Sequence, residues 1–183
     1  MAKYGVVETT KITEPCFDFK ATADIENGSI IKKGDLVTGE THIYKAEVPA
    51  VTDEVYLVAN PAWSYDDGSV INQNEDEYIN VKGVSFRGYA MKKDNKFTVL
   101  DYSITVDAGS TLAKDDYIGV DGTTNKLKDL GSSAPTMKSL GFVGIVREIK
   151  KYGFAYCTGT AGNVGATGKK VVIEVLKNAT VEA

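Results

Sequence analysis

The stretch LGFVGIVREIKKYGFAYCTGTAGNVGATGKKVVIEVLKN, Leu140 to Asn178, decides the fold. Its middle carries glycines at 159, 162, 165 and 168, with Lys169 and Lys170 behind them. It can be read as a phosphate-binding loop, a collagen-like repeat or a hairpin tip. A Walker A loop places glycine five positions before its Gly-Lys and Ser or Thr after it. Here position 163 is Asn and position 170 is Lys, so both ends fail. A phosphate loop also opens a helix whose N-terminus faces the anion. This one leads into VVIEV (Val171–Val175), a β-branched, strand-prone run. The three-residue spacing misses the dinucleotide pattern G-x-G-x-x-G as well. Collagen needs many triplets and prolines that preset its backbone, and the stretch contains no proline. A hairpin tip between two strands remains, in which glycine permits positive φ. Along the first strand, Val143, Ile145 and Ile149 are expected on one face and Gly144, Val146 and Glu148 on the other.

Working outward, the same texture of short apolar runs and turn residues recurs. SIIKKGDLVTGE (Ser29–Glu40) reads as two short strands around Lys33-Gly34-Asp35. HIYKAEV (His42–Val48) alternates Ile43, Lys45 and Glu47 against Tyr44, Ala46 and Val48, the period of a half-buried strand. EVYLVANP (Glu54–Pro61) is a continuous apolar run ended by proline, which suits a strand buried on both faces. Asp94-Asn95 reads as a hairpin turn and Asp121-Gly122 as another. Residues 63–80 form a long polar, acidic loop, and a connection of that length usually has a job. Residues 1–20 show no period and contain Pro15, so they read as an extended N-terminal arm. Helix is scarce: STLAKDDY (Ser110–Tyr117) holds one turn at most. Ile31–Val37 and Leu112–Ile118 echo one another, each placing Lys, a turn residue and Asp before apolar residues. The expected fold is all-β, an antiparallel barrel or sandwich with long loops, the N-terminal arm and little helix. The body, residues 21–183, forms one domain or two lobes dividing near residue 100.

The composition narrows the function classes. A net charge of −4 over 183 residues opposes nucleic-acid binding, which requires clustered positive charge, and permits docking onto basic surfaces. No run reaches the length of a membrane span, and the N-terminus shows no signal-peptide pattern, so synthesis in a cytoplasm is expected. Cys16 and Cys157, the two cysteines, read as separate reduced thiols packed as small apolar groups.

No metal, cofactor or catalytic site is expected. His42 is the single histidine, and it reads as a partly exposed strand residue. A zinc site needs three or four ligands from Cys, His or carboxylates. NQNEDE (Asn72–Glu77) fails as a calcium loop, because position six is Glu77 rather than Gly and position twelve is Gly83 rather than Glu. The adjacent pairs Asp53-Glu54, Asp66-Asp67 and Asp115-Asp116 would face opposite sides of a strand and read as surface charge. Trp63 and Tyr65 flank the acidic loop and are candidates for stacking on a sugar or anchoring a protein.

The order of several phrases carries a resemblance. ADIENGSIIKKGDLV, YKAEVPAVTDEVYLVANPAWSYDD, FRGYAMKKDNKFTV, KDDYIGVDGTTNKLKDL and the stretch from Gly141 to Asn178 follow one another over residues 22–178. Together they resemble capsid decoration proteins, the head-stabilising auxiliary proteins of tailed bacteriophages of Gram-positive hosts. The resemblance implies a non-enzymatic virion protein on the capsid exterior, made in the bacterial cytoplasm and bound to the major capsid protein. It also implies a homo-oligomer, with a trimer favoured, and attachment helped by the arm. Tyr4, Val6, Val7, Ile12 and Phe17 are the contact candidates, as apolar groups in an unpatterned arm. The alternative is a virion-attached carbohydrate-binding or host-adhesion module using Trp63 and the tyrosines. A β-barrel hydrolase with a dispersed carboxylate pair is a third reading.

Overall fold

A computed structural model of the chain describes residues 7–61, 78–152 and 168–181. The chain opens with β1 (Glu8–Lys11). It continues with β2 (Cys16–Lys20), β3 (Ile30–Leu36), β4 (Ile43–Glu47), β5 (Tyr56–Val58) and β6 (Ser85–Ala90). These five close into a barrel in the order β2-β4-β3-β5-β6. Then come β7 (Lys96–Leu100), β8 (Ile104–Thr105), β9 (Tyr117–Val120), β10 (Leu127–Gly131), β11 (Phe142–Tyr152) and β12 (Gly168–Asn178). With β1 they form a seven-stranded sheet in the order β1-β7-β12-β11-β9-β10-β8. The fold is all-β, and the helical content among the described residues is two single 3-10 turns, Asp101–Ser103 and Met137–Ser139.

The stretch that opened the sequence forms the spine of the larger sheet. β11 and β12 pair antiparallel from Phe142 with Asn178 to Tyr152 with Gly168. The tip expected over the glycines lies within 153–167, outside the described residues. The expected face assignment fails at Ile149, which packs against the main core with Phe142 and Val146. The register shift between Val146 and Glu148 puts an extra residue into β11 and turns its later side chains over, whereas the shift between Val143 and Gly144 puts one into β12.

The barrel and the larger sheet share that core. Ile30 and Leu57 point from β3 and β5 into a cluster with Phe97, Val99, Ile118, Phe142, Val171 and Ile173. Their neighbours Ile31, Tyr56 and Val58 line the barrel interior with Phe19, Ile25 and Phe86. Two buried faces explain why EVYLVANP is continuously apolar. β4 keeps its period of two, with Tyr44 and Ala46 packed inward and Lys45 and Glu47 exposed.

Backbone bonds sew the two sheets along one seam. The Gly141 N–H donates to the Val51 carbonyl at 2.8 Å, Ala179 donates to Gly141 at 2.9 Å and Val181 donates to Thr52 at 2.8 Å. The Asn178 amide nitrogen donates to the Val55 and Met91 carbonyls at 2.8 and 2.9 Å. Its oxygen accepts the Val55 N–H at 2.9 Å.

Several local expectations change. Residues 7–20 are extended, but they are not a free arm. β1 pairs with β7, and β2 pairs with both β4 and β6. β3 is one continuous strand with a register shift between Lys33 and Leu36, so Lys33-Gly34-Asp35 does not separate two strands. The turn at Asp94-Asn95 exists but is no hairpin, since β6 lies in the barrel and β7 in the larger sheet. The division between the sheets thus falls between Ala90 and Lys96, ahead of residue 100. Asp121-Gly122 does begin the link within an antiparallel pair, β9 with β10. Cys16 is exposed rather than packed, because Phe17 and Phe19 hold the inward positions of β2. Cys157 lies outside the described residues.

The sequence echo has a different partner. Ala113-Lys-Asp-Asp116 matches Lys92-Lys-Asp-Asn95, not the strand residues Ile31–Val37. In each turn the fourth residue's N–H donates to the first residue's carbonyl, at 3.4 and 3.1 Å. The fourth side chain accepts the first residue's N–H at 2.7 and 2.9 Å. The third residue has positive φ, 69° at Asp115 and 71° at Asp94. Each turn then clips the central hairpin. Asp94 donates to Val175 and Val175 to Asn95, while Asp115 donates to Val146 and Val146 to Asp116, all at 2.8 or 2.9 Å.

Candidate functional site

The contact candidates from the sequence find partners within the chain. Val7 and Ile12 pack against the main core and Phe17 against the barrel core. The Phe17 ring meets Tyr44 and Tyr56 edge-on at 6.2 and 5.7 Å. The Lys33 ammonium stands 4.3 Å from the Phe17 centroid and 3.9 Å from that of Tyr44, so charge caps the barrel's aromatic end. Val7, Ile12 and Phe17 therefore do not wait for a partner protein. Tyr4, Val6, Trp63 and Tyr65 lie outside the described residues.

Of the adjacent carboxylate pairs, Asp53 and Asp116 are not plain surface charge, while Asp66 and Asp67 lie outside the described residues. Asp53 and Asp116 are buried, and each accepts a backbone N–H three residues back, from Ala50 and Ala113. Asp129 accepts from Gly131 at 2.9 Å. Asp121 accepts from the hydroxyls of Thr124, Thr123 and Thr105. The Thr124 bond above all holds its carboxyl below the usual aspartate range. A second network ties the two ends of the connection between β5 and β6. Asn27 exchanges hydrogen bonds with the Asn60 backbone at 2.8 and 2.9 Å, and Asn80 donates to Asn27 at 3.0 Å. Asn60 donates to the Tyr78 hydroxyl at 2.7 Å. Asn60 and Tyr78, on either side of residues 62–77, are thus held together at one point. Asp or Asn closing a Lys-Asp turn before a strand is the sequence signal for Asp116 and Asn95.

The face of the larger sheet turned from the core carries a chain of opposite charges. Lys96 lies 3.3 Å from Glu174, Arg147 Nε donates to Glu174 at 2.9 Å, and Arg147 lies 4.0 Å from Asp115. Beside it, Lys170 and Thr98 donate to Glu8 at 2.6 and 3.3 Å. The Arg147 bond lowers the Glu174 pKa and the Lys170 bond lowers that of Glu8. A carboxylate depressed in the folded state stabilises above its unfolded value of 4.5 and loses that contribution as pH falls through the folded value. Glu26 acts the other way, since burial raises its pKa and favours the neutral form. Glu174→Gln is expected to cost about 1 kcal/mol at neutral pH, a fall in melting temperature of roughly 2–4 °C. The gap from the parent should narrow as pH falls below 4.5 and through the lowered folded value, read by thermal melts into the acid range. A gap that stays constant all the way to acid unfolding would refute the assignment.

Large apolar side chains remain outside the fold, on turns. Val81 and Val84, 55% and 58% exposed, flank one turn beside Asp24, whose carboxylate accepts the Lys82 N–H. Val48 and Val51, 51% and 42% exposed, flank another at the seam. Val48 was expected on the same strand face as Tyr44 and Ala46, but β4 ends at Glu47 and leaves it outside; valine in a β-rich chain is hard to tell from core by sequence. His42 is exposed, with Nδ1 beside the Thr41 hydroxyl at 3.1 Å. Among the described residues, no group of three or more His, Cys, Asp or Glu side chains is placed to hold a metal ion. Comparison with protein-family models, curated proteins and solved structures finds no match to the chain.

Proposed function

We propose that the protein is a non-enzymatic virion component that binds the outer surface of an assembled phage head and stabilises it. The resemblance in phrase order supplies the class. The observation that carries it is the division of labour among side chains. Buried Asp and Asn hold turns and strand ends, while valine pairs stand outside on turns of a doubly cored body. A body that keeps its shape and offers apolar projections suits docking onto a preformed surface. The net charge of −4 favours basic seams between major capsid subunits. Repeated modest contacts raise particle stability by mass action, without a chemical step. A trimer at a local three-fold position multiplies those contacts.

Purified protein mixed with expanded, undecorated heads is expected to co-sediment and to raise the temperature of DNA release. Val81→Asp with Val84→Asp is expected to weaken head binding by about tenfold while leaving the melting transition of the free protein in place. No co-sedimentation together with unchanged DNA release would refute the proposal.

A further inference from the structure

The segment between β7 and β9 meets the ends of β11 and β12 around a surface cavity of about 330 Å³. Its floor is apolar: Val106, Leu112 and Ile149 pack from below onto the main core. Its rim carries Asp101, Ser110, Thr111 and Lys169. Among the described residues, no hydrogen bond or ion pair engages these four side chains. That sets them apart from Asp53, Asp116, Asp121 and Asp129, whose oxygens all hold the fold together.

We propose that this cavity binds one sugar ring of a neutral saccharide. The volume lies at the lower end of the range for small-molecule sites, which suits a single ring. An apolar ligand would strip water from four polar groups and give nothing back. A phosphate or carboxylate ligand would meet the Asp101 carboxylate, and a cation would meet the Lys169 ammonium. A pyranose has a C–H face for Val106, Leu112 and Ile149, and hydroxyls that both donate and accept. Asp101 takes a donated hydroxyl proton, Lys169 donates, and Ser110 and Thr111 do either. The described lining does not include Trp63 or Tyr65, and the site stands whether or not the protein binds heads.

The test is a titration of the ¹⁵N-labelled full chain with methyl glucoside, methyl galactoside and methyl N-acetylglucosaminide, with glycerol as control. At least one glycoside is expected to give saturable amide shifts centred on residues 101–112 and 149, which glycerol does not reproduce. Asp101→Asn and Thr111→Val are each expected to weaken that binding by about tenfold, with unchanged melting curves. The proposal is overturned by the absence of saturable shifts with all three glycosides, by shifts centred elsewhere, by an equal response to glycerol, or by full affinity in both folded variants.

Discussion

A chain lacking residues 1–20 is expected to lose its cooperative melting transition. The sequence alone suggests that those residues could be removed from a folded body, and the pairing reverses that expectation. β2 closes the barrel, with Asp18, Phe19 and Lys20 parallel to Ile43, Tyr44 and Lys45 of β4 and antiparallel to residues of β6. Its removal leaves two bare strand edges and takes Phe19, fully buried against Tyr56 and Phe86, out of the core. Phe19→Ala alone should cost about 3–5 kcal/mol. Adding the lost ladders of β1 and β2 brings the sum to the whole stability of a typical domain, about 5–15 kcal/mol. Circular dichroism during heating would show a gradual slope in place of a sigmoid. A truncated chain with a sharp transition near that of the parent would sink this account of β2, and would restore the free arm as a docking element.

Gly141→Ala is expected to destabilise the protein by more than about 4 kcal/mol, enough to lower its melting temperature by roughly 8–16 °C. A Cβ at this position would overlap the Asp53 carbonyl oxygen and lie 2.5 Å from the Thr52 carbonyl carbon. Both are backbone atoms, so no rotamer change relieves the overlap. The chain cannot drift apart either, because Gly141 donates to Val51 and accepts from Ala179 on the same seam. Asn178 and Val181 hold the adjoining residues. Gly109→Ala is the control. A Cβ there meets nothing within 4 Å, and the positive φ of 86° costs only about 1–2 kcal/mol. Denaturant unfolding of the two variants should separate them by at least about 2 kcal/mol. Equal stability would show that the seam yields, and that the two sheets are less tightly joined than their hydrogen bonds imply.

Strand identity was legible where one physical signal dominated. Alternation placed Tyr44 and Ala46 inward, and an unbroken apolar run marked β5 as buried on both faces. β-branched runs on either side of the glycine repeat gave β11 and β12. Pairing was less legible, because it depends on where a turn docks. Asp94 and Asn95 form the expected turn, yet their backbone binds Val175, and that carries the chain from barrel to sheet instead of into a hairpin. Bulges were invisible, so Ile149 was placed on the wrong face. The partners of Val7, Ile12 and Phe17 were hidden because they, Tyr44, Tyr56 and the main core, are distant in sequence. The cavity rim was hidden for the same reason: Asp101 and Lys169 are ordinary charges until β7 and β12 bring them together.

The order of strands also sets an order of assembly. All five barrel strands lie between residues 16 and 90, so that half can close while later residues are still being added to the growing chain. The larger sheet has no such freedom. Its third strand, β12, is the last made, and both β7 and β11 lack a neighbour until it arrives. Synthesis therefore passes through a stage in which a finished barrel carries unpaired strands, the condition most exposed to association between nascent chains. The charged residues of β7 and β11, Lys96, Arg147, Glu148 and Lys150, sit on the edges open at that stage and oppose such association before they settle into the folded sheet's ion pairs.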